Sequence, residues 1–147
     1  MVHEFRKLRA SFRAAWKGIS LAIRSERNFR IHLCTALYVS LLAIVGGVPI
    51  WQLGLIALCF GVMISAELFN TAIELACDAI SARFDKTLGT IKDISAAAVL
   101  VCAAFCAVCG ILIFIQHGVI SAILAAPWVF IVIVLTLPLA LWFIFRK

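Results

Sequence analysis

Acid is scarce in this chain. Only seven of its 147 residues are Asp or Glu, against thirteen Lys and Arg, and charged residues of both signs make up 14% of the sequence. No Lys, Arg, Asp or Glu occurs from residue 31 to 66, nor from 94 to 144. A soluble domain of this size does not leave runs of that length uncharged, which excludes a water-soluble globular fold. Familiar nucleotide and protease signatures are missing too: no G-x-x-x-x-G-K-[ST], no G-x-G-x-x-G after a strand, no kinase catalytic loop, no H-E-x-x-H. Any nucleotide chemistry here needs a site built from membrane helices.

What fills the space is apolar. The chain is 65% hydrophobic with a mean hydropathy of +1.16. Each uncharged run is far longer than the roughly 20 residues of one crossing, so each holds two spans. The breaks fall at GGVP, residues 46 to 49, and between residues 117 and 127. The expected fold is an all-α integral membrane protein of one domain, with spans at about 31–48, 51–70, 94–116 and 127–145.

The cations predict an orientation. Arg6, Lys7, Arg9, Arg13, Lys17, Arg24, Arg27 and Arg30 precede the first span, and Arg83, Lys86 and Lys92 lie between the second and third. Arg146 and Lys147 close the chain, while the two other connections carry no cation. The positive-inside rule places both termini and a 71–93 loop in the cytoplasm, a parity that four spans satisfy. Trp51, Trp128 and Trp142 fall where interfacial aromatics belong.

The first 30 residues carry charge throughout and lack the apolar core of a cleavable signal peptide. Phe5, Leu8, Phe12, Trp16, Ile19 and Ile23 recur at spacings of three and four with basic residues between them. That pattern predicts an amphipathic helix lying on an anionic membrane surface; the plainer alternative is a helix packed on a partner. Six cysteines include a C-x-x-C at Cys106 and Cys109, but it lies inside an expected span without a redox-motif context. With the alanines around them, they read as small residues that let helices approach.

The most informative stretch is AELFNTAIELACD, residues 66 to 78. At about 100° per residue, Glu74 and Asp78 lie roughly 20° to either side of Glu67 and Asn70 roughly 60° away, so all four share one helix stripe. Carboxylates at the end of an apolar span are costly and mark function. Two of them, two turns apart, suit a divalent cation and a proton. Two other polar clusters lie toward the same membrane face: SERNFRIH, residues 25 to 32, and Lys92-Asp93. All three are expected to converge; the bland alternative pairs Glu26 with Arg30 and leaves Lys92 as the end of a loop.

E-x-x-N-T-A-I-E-x-x-x-D, Glu67 to Asp78, resembles the signature of the prokaryotic diacylglycerol kinases, small membrane enzymes unrelated to soluble kinases. The likeness continues through W-K-G at 16–18, Ser25-Glu26 to His32, and K-D-x-x-A-A-A-V-L at 92–100, and covers about residues 5 to 116. N-F-R-I-H-L at 28–33 is similar to the undecaprenol kinase branch. The resemblance implies transfer of the γ-phosphate of ATP to a lipid hydroxyl with Mg²⁺, and assembly as a homotrimer. It casts Glu67 as general base, Glu26 and Glu74 as Mg²⁺ ligands, and Asn70 and Ser95, with Glu67, as lining the substrate site. Nucleotide contacts then fall to Lys7, Glu26, Glu74, Arg83, Phe84, Asp85, Lys92 and Asp93, with Asp78 in support.

Residues 83–85 depart from the family's usual acidic-aromatic-histidine pattern, and Lys7 stands where one branch has arginine. Family chains also end after three spans. Residues 1–30 are therefore expected as the surface helix, 31–116 as the family core, and 117–147 as an extra transmembrane segment. Diacylglycerol is the alternative substrate. A carboxylate-based proton or cation transporter is the alternative of another class, although inverted repeats are not evident.

Overall fold

The computed structural model describes residues 2–81, 83 and 85–146. Among these it has six helices: α1 (Val2–Ser25), α2 (Arg27–Val45), α3 (Ile50–Ile80), α4 (Lys86–Gln116), α5 (Val119–Leu124) and α6 (Pro127–Phe145). Helices α2, α3, α4 and α6 are each long and apolar enough to cross a membrane. The all-α membrane fold and the four spans expected from the sequence are what the structure has.

Several boundaries differ. The 71–93 segment is not a loop: α3 runs on to Ile80 and α4 starts at Lys86. Each has 31 residues, about 46 Å at 1.5 Å per residue, against a hydrocarbon core of about 30 Å. The charge at Glu67 ends the apolar run, but TAIELACDAI holds good helix formers and the backbone keeps its ladder beyond it. Helix α2 also begins four residues before the expected start, so the NFRIH cluster is helical. The 117–127 connection contains the short α5.

Local chemistry explains the breaks. Glu26 has extended backbone angles (φ −100°, ψ 116°) and separates α1 from α2. After Val45 the chain turns through Gly47, whose φ of +71° is open to glycine at little cost. Pro49 then presets the entry to α3. Asp85 caps α4, its Oδ1 accepting from the backbone N–H of Thr87 (2.8 Å) and Leu88 (3.0 Å). Pro127 opens α6, where its missing N–H costs nothing.

Helix α3 is the centre of the bundle. Helices α2 and α4 flank it and are not packed closely on one another, while α5 touches both. Helix α6 packs on the outside of α2. At the end remote from the charged residues, Ala43, Val48, Ile56, Ile113 and Val119 form a buried cluster. Gly46 admits Val119 there: a Cβ on Gly46 would come within 2.7 Å of the valine Cγ1. Gln52 is buried nearby and donates to Gln116 Oε1 at 3.1 Å. In α1, Phe5, Leu8, Phe12 and Trp16 are all exposed, so the chain itself does not cover that apolar face.

A candidate active site at the charged end of α3

Glu67 is 2% exposed, in company with Met63 one turn back and Thr71 one turn on. Its Oε2 is buried and has no hydrogen-bond partner among the described residues. Thr71 does not supply one, because its hydroxyl donates to the Glu67 backbone carbonyl (3.0 Å). Buried polar atoms are almost always paired, and an orphan calls for an explanation such as catalysis or a ligand.

Around this carboxyl the polar side chains form a chain of bonds. Asn70 Nδ2 donates to Glu74 Oε1 at 2.9 Å. A carboxylate only accepts, so the amide nitrogen must face it, and Asn70 Oδ1 turns to Ser95, whose hydroxyl donates at 2.6 Å. Ser95 Oγ also lies 2.9 Å from the Lys92 carbonyl of its own helix, and its bond to Asn70 ties the start of the α4 span to α3. Asp78, the exposed end of the stripe, pairs with Lys92 Nζ. This hydrogen bond holds the Lys92 ammonium above the ordinary lysine value.

Helices α1 and α2 both pack on α3, and the Asn70–Ser95 and Asp78–Lys92 bonds tie the stripe to the head of α4. The α1–α2 corner, the acidic stripe and the head of α4 therefore share one neighbourhood, as the sequence pattern leads one to expect. The bland pairing of Glu26 with Arg30 is overturned: Arg30 is buried and, among the described residues, its guanidinium bonds only backbone carbonyls. Lys92 is held by Asp78 at the head of α4. Among the described residues no three His, Cys, Asp or Glu side chains form a metal-holding group by themselves.

The other expected site residues make local contacts or are exposed. Asp85 spends its carboxylate on the α4 cap. Asp93 is exposed. Lys7 is exposed on α1 and lies 3.4 Å from Glu4. Arg83 exchanges backbone contacts with Ser81, and Phe84 lies outside the described residues. Sequence reasoning did not single out Arg30, although an arginine opening an apolar span is a signal of a buried partner. It also passed over Thr71.

Below the carboxyl lies an apolar groove of about 690 Å³ between α2 and α4 with α3 as its floor, lined among others by Val39, Phe60, Met63, Ala107, Gly110 and Ile120. Met63 and Glu67 are four residues apart and so lie on one face of α3. The carboxyl thus heads the stripe that floors the groove. Ile120 of α5 lines its other end. Among the cysteines that border it, Cys106 donates its thiol to the Cys59 carbonyl at 3.2 Å and all six are free, in keeping with a packing role.

The model of the prokaryotic diacylglycerol kinase family matches residues 13–114. The chain belongs to that family. It is a lipid kinase, and the match ends at the end of α4, so α5 and α6 lie outside it. An undecaprenol kinase of Bacillus subtilis (strain 168) is 35% identical over 113 residues, 77% of this chain and 92% of that protein. A diacylglycerol kinase of Synechocystis sp. is 35% identical over 97 residues, 65% of this chain and 55% of the relative. This kinase therefore spans only about half the length of the second relative. No solved structure matches it.

Proposed function

We propose that this lipid kinase transfers the γ-phosphate of ATP to the hydroxyl of undecaprenol, with Mg²⁺, at the charged end of α3. One observation carries the reading: a buried carboxyl with an unpartnered oxygen stands one turn of α3 beyond Met63, which lines an apolar groove. A lipid alcohol matches both parts, its chain in the groove and its hydroxyl at Glu67. The choice of undecaprenol rests on N-F-R-I-H-L and on the relative that the chain covers over 92% of its length.

The residues divide the work. Glu67 accepts the proton as the lipid oxygen attacks the γ-phosphorus and ADP leaves. A positioned general base of this kind contributes about 10²–10⁴-fold. Glu26 and Glu74 fit Mg²⁺, which takes one or two protein carboxylates and completes its shell with phosphate and water. The bound ion would neutralise charge on the β- and γ-phosphates. Asn70 holds Glu74 in place and Ser95 holds Asn70. Lys92, steadied by Asp78, supplies a cation beside the phosphates, with Lys7, Arg83, Phe84, Asp85 and Asp93 forming the outer nucleotide contacts. The excess of basic residues in residues 1–30 and between α3 and α4 supports the reading that this end faces the cytoplasm at the cell membrane. A homotrimer is the expected assembly, and 1–30, 31–116 and 117–147 act as parts of one domain.

The decisive assay presents undecaprenol and diacylglycerol side by side to the purified protein in lipid, with γ-labelled ATP and Mg²⁺. Label is expected on undecaprenol in preference. Preferential labelling of diacylglycerol would overturn the substrate, and labelling of neither would overturn the reading of the site.

A further inference from the structure

The family match stops at residue 114, which leaves α6 without a role. Its end is tied into the charged end of the bundle. Arg30, 5% exposed, donates through Nη1 to the carbonyls of Ile23 (2.9 Å) and Arg24 (3.1 Å), in the last turn of α1. Its Nε donates to Ile144 O (3.1 Å) and Nη2 to Arg146 O (3.3 Å), at the end of α6. Helix C-termini leave carbonyls unpaired and carry partial negative charge, so one guanidinium satisfies two ends at once. Arg27 adds a contact over the Phe145 ring (5.9 Å). Arg146 folds back over Phe143 (4.7 Å), keeping the α6 end in place. Half of the acceptors around a buried cation therefore come from a helix outside the family core.

Beside the clamped end of α1 stands Glu26, the one non-helical residue separating α1 from α2. We propose that α6 is a positioning element for phosphoryl transfer: through Arg30 it fixes the α1–α2 corner and so holds Glu26 beside Glu67 and Glu74. Arg30 is a positioning residue and touches no substrate. A lysine in its place keeps the charge but not the planar fork that reaches four carbonyls in two directions. This inference rests on the proposed role of Glu26 in holding Mg·ATP.

The test compares the full chain with Arg30→Lys, with a chain lacking residues 119–147, and with Tyr38→Phe. The last removes the α2–α6 bond between Tyr38 and Thr136 (2.9 Å) without touching the Arg30 clamp. Arg30→Lys and the truncation are expected to raise the Mg²⁺ and ATP concentrations needed for half-maximal rate by about 10–100-fold, as the loss of residues supporting metal ligands does. The KM for lipid should hold, and Tyr38→Phe should leave the nucleotide parameters as they are. Hydrogen exchange of the amides of residues 22–30 should quicken in the first two variants and not in the third. Unchanged Mg²⁺ and ATP dependence in Arg30→Lys would overturn the proposal, as would an equal rise in every KM. If the full chain phosphorylates no lipid, the reading of the site fails instead. Hydrogen exchange then decides the clamp alone: unchanged exchange in both variants sinks it. A truncated chain that does not fold leaves Arg30→Lys as the deciding variant.

Discussion

Asn70 donates to Glu74 across 2.9 Å, one helical turn along α3. The bond sets the direction of both groups. It holds one Glu74 oxygen, and it commits the Asn70 carbonyl to Ser95 on the neighbouring helix. A carboxylate expected to hold a cation is thereby fixed to two helices instead of one.

Removing that support should separate metal binding from proton transfer. Asn70→Ala leaves Glu74 unsupported and is expected to weaken Mg²⁺ dependence by about 10–100-fold. Ser95→Ala removes only the outer link and should cost less. Titrating activity against Mg²⁺ at saturating ATP reads both. A larger effect from Ser95→Ala than from Asn70→Ala would reverse the order of support argued above.

Glu67→Gln keeps the size of a buried side chain and removes the base. The rate should fall about 10²–10⁴-fold, with the protein still folded by circular dichroism and gel filtration. Phosphorylation at the full rate in this variant would mean that the proton leaves by another route.

The Lys92–Asp78 pair is partly exposed, with Asp78 the more open partner. Asp78→Asn should raise the KM for ATP several-fold while kcat holds, because Lys92 loses its anchor. Salt screens exposed charges, so the gap between variant and parent should narrow from 50 mM to about 500 mM salt. A gap independent of salt would assign Asp78 a role other than charge pairing.

Gly46→Ala places a methyl against Val119, and a β-branched neighbour has little freedom to yield. Overpacking of this kind costs about 1–3 kcal/mol. Thermal unfolding in detergent should show the loss, and Val119→Ala in the same chain should recover part of it. Additive losses in the double variant would mean that the two positions do not meet.

The fold was legible because a bilayer imposes one rule on every residue it touches. Long uncharged runs have no other use, and Gly47, Pro49 and Pro127 mark the breaks by their backbone chemistry. Helix ends were less legible, since hydropathy reports where the apolar layer stops and not where the hydrogen-bond ladder stops. Glu67 illustrates both: it closes an apolar run yet lies thirteen residues inside α3. The stripe from Glu67 to Asp78 was readable from helical spacing alone. Its gradient, from a buried end to an exposed one, needed the packing of α4. The role of Arg30 could not be read, because half of its partners stand 114 and 116 positions away. Nor could the occupation of Lys92 by Asp78, a contact that depends on how α3 and α4 pack on one another.

The groove beneath Glu67 is stopped by α5 at one end, and its walls α2 and α4 stand apart along its length. A ligand reaching it must come sideways, through the plane of the membrane. Its supply is then set by crowding within a two-dimensional sheet, so diluting the bilayer with inert lipid should slow the enzyme even when the amount of substrate in the tube is unchanged.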